Sequence, residues 1–179
     1  MARVTTRSGD GGYTGLLGSE RVPKYDSRIE ALGLVDEATS ALGLARASAA
    51  EERVKAIILQ EQRNLYRLMA ELASTPDAAG KIAVSPMTEA DVLALEACAD
   101  DLKREVQIGH RFIIPGESVA GATLDCARTV VRRAERHVAR LVHTGDVTNG
   151  ETLRYLNRLS DLLFVLARYV ERGQAREVS

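Results

Sequence analysis

Tryptophan is absent, and the chain of 179 residues holds only two phenylalanines, two cysteines and three histidines. Each scarcity weighs against a class of function. Cys98 and Cys126 share no CxxC spacing and fall in apolar helical contexts, which argues against a zinc cage or a disulfide framework and predicts buried, reduced thiols. None of His110, His137 and His143 follows a Glu by three residues, so the Glu-x-x-His ligands of a di-iron carboxylate bundle are missing. The G-x-S-x-G elbow of a serine hydrolase is missing too. No apolar run approaches the ~20 residues that a membrane span needs, and MARVTTRSGDGG has no apolar leader core. The expectation is a cytoplasmic protein with no membrane partner. A formal net charge of −1 gives no overall field to recruit nucleic acid, so any anion site has to be local.

What remains is an ordinary globular balance, with 45% hydrophobic and 27% charged residues, enough for one well-buried domain spanning 1–179. Within it, residues 1–26 form a glycine-rich loop, residues 27–171 a helical body, and residues 172–179 a C-terminal tail. From Ser27 apolar residues recur at helical intervals, beginning with Ile29, Leu32, Leu34, Val35, Leu42 and Leu44, to about Ala50. A second helix is predicted over Glu52–Ala73, and Ser74–Met87 is a connector holding Pro76, Gly80 and Pro86. Thr88 followed by Asp91 is a capping signature for a third helix to about Val106, with Val92, Leu93, Leu95 and Leu102 along it. Ser118 is a plausible N-cap for a fourth helix to about Val142, and the fifth covers Thr152–Glu171. No alternating run suggests a sheet of any size. The fold class is therefore all-α, a five-helix bundle.

The fourth helix carries a row of cations. Arg128, Arg132, Arg136 and Arg140 stand four residues apart beside an apolar stripe of Ala127, Val131, Ala134, Val138 and Leu141. Like charges at this spacing oppose the helix by about 0.2–0.5 kcal/mol per pair, so an anion is expected against them. Two sources are open at this point: carboxylates of neighbouring helices such as Asp36 and Asp161, or a bound ligand. Arginine favours the second slightly, because its planar fork matches phosphate or carboxylate with two donors.

A bundle does not need the N-terminal loop, where Gly9, Gly11, Gly12, Gly15 and Gly18 alternate with Thr5, Thr6, Ser8 and Thr14. Its backbone N–H groups are suited to an anion nest, although it is neither a P-loop nor a dinucleotide fingerprint. Lys24 and Arg28 add cations nearby. Phe112, in the loop before Pro115, reads as an anchor plugging one end of the core. Asn157, Arg158 and Asp161 share a polar face of the fifth helix, and Glu135 is placed to orient an arginine or to help hold hydrated magnesium.

Four blocks occur in order along nearly the whole chain: TRSGDGGYTGLLGSERVPK with R-x-E-A-x-G-x-x-D-E, then FIIPG, ARTVVRRAER and LNRLSDLLFVLAR. Together they resemble the PduO-type ATP:cob(I)alamin adenosyltransferases. The resemblance implies a ferritin-like five-helix bundle assembled as a homotrimer, with active sites between subunits. It implies that Thr6, Arg7, Ser8, Gly9, Thr14, Gly15 and Lys24 line ATP. Arg132, Arg133, Ala134, Glu135, Arg136 and Asn157 would complete that site, with Arg132 on the triphosphate. Arg128 would pair with Asp36 across the interface, and Phe112 would press on the lower face of the corrin. DEATS at Asp36–Ser40 departs from the more usual DELNS, and Arg7 stands where lysine is common.

The implied reaction is transfer of the 5′-deoxyadenosyl group of ATP to the cobalt of cob(I)alamin, with triphosphate leaving and Mg²⁺ held mainly by the phosphates. Arg132 and Phe112 would be the catalytic residues. A cobalamin reductase or an acceptor enzyme is a conceivable partner. The alternative from another class is a non-catalytic ATP-binding sensor bundle that uses the same loop and Arg helix without the corrin.

Overall fold

The computed structural model describes residues 5, 7–75, 78, 85–106, 108, 113–172 and 176–177. Five helices form the body among them: α1 (Ser27–Ser48), α2 (Glu52–Ala73), α3 (Glu89–Lys103), α4 (Val119–Thr144) and α5 (Glu151–Val170). Their starts are set locally. The Asp26 side chain accepts from the N–H of Arg28 at 2.8 Å, Ser118 Oγ accepts from Gly121 N at 2.9 Å, and Thr88 and Asp91 form a reciprocal capping box. Gly145, at φ 80°, ends α4 in the left-handed conformation that glycine adopts without a Cβ penalty. The third helix stops at Lys103, three residues short of the expected end, and the other boundaries lie within two residues of expectation.

Helix α4 packs between α1 and α5, while α1 also pairs with α2 and α5 with α3. Polar contacts give the directions. Arg28 at the start of α1 donates to Asp146 O beyond the end of α4, and Glu37 meets Arg133 midway, so α1 and α4 are antiparallel. Glu89 and Glu96 of α3 lie by Arg154 and Arg158 of α5 at 3.9 and 2.6 Å, so those two helices run parallel. The centre of the bundle is α5. From Tyr155 to Tyr169 only Asn157, Arg158, Asp161 and Phe164 escape full burial.

Several expected inward positions are not inward. Leu44 is 59% exposed and Leu93 53% exposed, because Leu42 and Ala45 of α1, and Val92 and Leu95 of α3, already occupy the core-facing arc. Conversely Glu61 and Asn64 of α2 are buried, where Tyr155 O–H donates to Glu61 and Asn64 Nδ2 donates to Glu61 Oε2 at 3.3 Å. Cys126 is exposed rather than buried, since it lies one position off the Ala127 stripe; Cys98 is half-buried, and burial pushes its thiol pKa up.

The glycine loop contains a hairpin that alternation could not reveal, since its strands have three residues each. Strands β1 (Tyr13–Gly15) and β2 (Arg21–Pro23) pair antiparallel, with Thr14 opposite Val22. The hairpin hooks onto the end of α2, where Leu17 N donates to Ala73 O at 2.8 Å and Thr75 N to Leu17 O at 3.2 Å. A second two-stranded pair, β3 (Ile113–Ile114) with β4 (Arg176–Glu177), brings the tail back to the chain just after Phe112.

Candidate active site

The apolar stripe of α4 is fully committed to the core: Ala127, Val131, Ala134 and Val138 are 0% exposed and Leu141 1%. That commitment fixes which way the arginines point. Arg128 is paired inside its own helix, with Nε 3.0 Å from Asp125 Oδ1, and Arg133 is paired with Glu37 of α1. Arg136 Nη1 donates to the carbonyl of Arg132 at 2.9 Å. The Arg132 guanidinium makes no hydrogen bond or ion pair with any described residue. An ion-pair lattice on Asp36 and Asp161 is therefore not what the row forms within one chain. Asp36 is exposed on α1, and Asp161 lies 3.7 Å from Arg158.

Arg128 and Arg132 open onto a cavity of about 550 Å³ between α4, α5 and the end of α3. Its apolar side is Val106, Ile108, Phe164 and Val165, and its polar side adds Lys103, Ser160 and Asp161. One wall suits a flat apolar ring system and the other an anion. Next to it along α4, Asn157 Nδ2 donates to Glu135 Oε1 at 2.8 Å, and Arg158 Nη1 donates to Asn157 Oδ1 at 2.6 Å. Asn157, Arg158 and Asp161 share the face expected of them, with Arg158 3.7 Å from Asp161. The Glu135 carboxylate is turned to Asn157 rather than to an arginine, and Ala134 is buried.

The N-terminal loop presents a second cluster. Arg7 has φ 61°, a left-handed conformation uncommon for a side chain with a Cβ, and starts a turn in which Asp10 N donates to Arg7 O and Gly12 N to Gly9 O. Two of the amides expected to form an anion nest are therefore used within the turn. Arg7, Ser8 and Lys24 are exposed, Gly9 and Thr14 partly so, and Gly15 is open to solvent. Lys24 folds over the turn so closely that a Cβ on Gly9 would lie 3.1 Å from its Nζ. Lys24 N also donates to Gly12 O at 2.9 Å. Thr6 and Phe112 lie outside the described residues.

Other site residues carried little signal in the sequence. Arg21 braces the loop, donating to Ser8 O at 2.8 Å and Tyr13 O at 3.3 Å. Arg28, expected as a free cation, is instead a clamp: it donates to Leu72 O, Ser74 O and Asp146 O, joining the ends of α2 and α4. Phe164 of the cavity wall was legible only as the second of two phenylalanines.

Among the described residues, loop and arginines do not meet within one chain. The hairpin side packs near Leu141 and Asp146, at the C-terminal end of α4. Arg132 is nine residues earlier, about 14 Å along the helix axis at 1.5 Å per residue. No hydrogen bond or ion pair joins the two clusters among the described residues. Nor, among the described residues, do three His, Cys, Asp or Glu side chains converge there on a point able to hold a metal ion. No described helix is long and apolar enough to cross a membrane.

An all-α bundle with a cationic face on one inner helix, a part-apolar cavity beside it and a separate glycine hairpin has the parts of a ligand-binding site that an ion-paired scaffold does not need. The profile of the cobalamin adenosyltransferase family matches residues 4–170, and the chain belongs to that family. It is 39% identical over 171 residues to a corrinoid adenosyltransferase of Citrobacter freundii, covering 96% of each chain. It is 38% identical to the corrinoid adenosyltransferase PduO of Salmonella typhimurium, of whose length it spans 48%. Among solved structures, a variant of the PduO-type ATP:corrinoid adenosyltransferase from Lactobacillus reuteri, complexed with cobalamin and ATP, superposes with a TM-score of 0.89 at 28% identity, covering 98% of each chain.

Proposed function

We propose that this corrinoid adenosyltransferase builds each active site from two chains: the N-terminal hairpin of one subunit and the Arg132 face of its neighbour. The observation that carries this reading is the Arg132 guanidinium at the edge of the cavity, which pairs with no described residue and stands some distance along α4 from the loop cations Arg7 and Lys24. A homotrimer closes the gap. Arg7, Ser8, Gly9, Thr14, Gly15 and Lys24 then line ATP from one side, and Arg132, Arg133, Glu135, Arg136 and Asn157 from the other. Arg133 reaches the nucleotide only by leaving Glu37. Arg128 keeps Nε on Asp125 and offers its two Nη groups to Asp36 of the neighbouring subunit.

The corrin takes the cavity, its ring against Phe164, Val165, Val106 and Ile108. Phe112 lies just before β3 in the chain, and in this reading it presses on the lower face of the corrin and displaces the lower cobalt ligand. Loss of that ligand makes the one-electron reduction to cob(I)alamin easier. The Co(I) lone pair then attacks C5′ of ATP, the C5′–O5′ bond breaks, and its electron pair leaves with the triphosphate. Charge grows on the departing oxygen, so fixed cations at Arg132 and Lys24 lower the barrier without a general base. Mg²⁺ travels on the triphosphate, and no step is routed through a protein-held metal. Free Cys98 and Cys126 suit the reducing cytoplasm that cob(I)alamin requires, where a reductase would supply the electron. Residues 1–179 act as one domain, with 1–26 as the nucleotide loop.

The test is an anaerobic mixture of protein, ATP, Mg²⁺ and chemically reduced cobalamin, followed by loss of cob(I)alamin absorbance and release of triphosphate. Equal amounts of adenosylcobalamin and triphosphate are expected, and Arg132→Ala is expected to slow turnover by about 10²–10³. Full turnover by Arg132→Ala would remove that residue from the site. ATP binding with no cobalt–carbon bond formed would favour the sensor reading.

A further inference from the structure

The reaction as described leaves one buried cation without a part. Arg168 of α5 has a side chain only 3% exposed, at a position surrounded by the apolar residues Val165, Leu166, Ala167 and Tyr169. Its Nη2 donates to Asp125 Oδ2 at 2.5 Å and to Glu171 Oε2 at 3.0 Å. Asp125, itself 5% exposed, turns its other oxygen to Arg128 Nε at 3.0 Å. On the opposite side the Arg168 guanidinium carbon lies 5.5 Å from the centre of the Phe164 ring. Arg128 and Phe164 are both walls of the cavity, from different helices, and Arg168 lies behind both of them.

The arrangement is not the one that stability alone favours. Arg168 Nε is buried without a hydrogen-bond partner, and apolar side chains at Arg168, Asp125 and Glu171 together would leave no such orphan. The guanidinium is held where one Nη serves two carboxylates and its carbon lies over the Phe164 ring. We propose that Arg168 is a positioning residue of the adenosyl-transfer site: through Asp125 it orients the Arg128 guanidinium, and through its cation–π contact it fixes the Phe164 ring. The cationic and the apolar wall of the cavity are then kept in register by one side chain. With Nε committed to Asp125, Arg128 directs its two Nη groups away from its own helix. This role rests on the reading that the cavity receives the corrin.

The test is Arg168→Lys, which keeps the charge beside Asp125 and removes the planar group, made alone and together with Arg128→Ala in the intact oligomer. Arg168→Lys is expected to lower kcat/KM for cob(I)alamin about tenfold while leaving the melting temperature within a few degrees. In the Arg128→Ala background the same change is expected to cost about threefold or less, because only the Phe164 contact is then left for it to act through. Equal losses in both backgrounds, or no loss in the first, would overturn the proposal while leaving the cavity assignment in place. An Arg128→Ala variant with unchanged kcat/KM would overturn the cavity assignment and this role with it. If Arg168→Lys does not fold, Asp125→Asn, which keeps an acceptor for Arg168, replaces it in the same cycle with the same expected pattern.

Discussion

Replacing Gly121 by alanine adds one methyl group, and the structure gives that change a large cost. A Cβ at this position would lie 2.0 Å from Glu171 Oε1, 2.2 Å from its Cδ and 2.8 Å from its Cγ. The far end of a glutamate side chain normally swings away at little cost. Here it is held on every side: Glu171 is 1% exposed, its Oε2 accepts from Arg168, and its Oε1 accepts from Ser118 N at 3.1 Å and Ser118 Oγ at 3.4 Å. Either the backbone of α4 retreats, an overpacking cost of about 1–3 kcal/mol, or Glu171 moves and charge-assisted bonds of about 1.5–3 kcal/mol are lost. A net destabilisation of about 3 kcal/mol corresponds to a melting temperature lowered by roughly 6–12 °C in a chain of this size. Thermal unfolding followed by circular dichroism measures it. In a Glu171→Ala background, where the clash is gone, the same Gly121→Ala change is expected to cost less than about 1 kcal/mol. A Gly121→Ala protein melting with the wild type, or an equal penalty in both backgrounds, would refute the argument from contact.

Two further expectations concern pH. Arg67 beside Asp91, with Thr88 of the capping box, lowers the Asp91 pKa to about 2. A carboxylate depressed in the folded state contributes stability above its unfolded value near 4 and loses it as pH falls towards 2. Asp91→Asn is therefore expected to cost about 1 kcal/mol at pH 6, with the difference from wild type closing as the unfolding measurements approach pH 2. Glu61 behaves in the opposite sense, since burial raises its pKa. The folded state then holds a proton that the unfolded state releases above about pH 4, so this group's contribution weakens as pH rises. Glu61→Gln, which keeps an acceptor for Tyr155, is expected to gain stability over the wild type as pH rises above the unfolded value of about 4; a difference that does not change with rising pH would contradict it.

The helices were legible because their apolar residues recur at the helical period over four or more turns, and because Thr88, Asp91 and Ser118 are capping residues whose effect is local. The arginine row of α4 was legible for the same reason: spacing along one helix fixes which side chains share a face. What one helix cannot show is what another presents to it. Arg28 was readable as a cation but not as the clamp on Leu72 O, Ser74 O and Asp146 O, since all three acceptors are backbone atoms of distant segments. Arg168 did carry a signal, a cation among core positions of α5, which implies a buried carboxylate; which one, Asp125, needed the packing of α4 on α5. The hairpin at Tyr13–Pro23 is three residues per strand, too short for alternation to register.

The division of the active site between chains is tested most directly by mixing subunits. Lys24→Ala removes the loop cation and Arg132→Ala the leaving-group contact, and each homo-oligomer alone is expected to be nearly inactive. Co-expressed at equal levels, random trimers of the two regain about a quarter of wild-type turnover, because every mixed trimer contains one site with an intact loop from one chain and an intact Arg132 from the next. Activity no higher than that of the separate variants, in samples shown to contain mixed trimers, would place loop and arginine in the same chain and contradict the account.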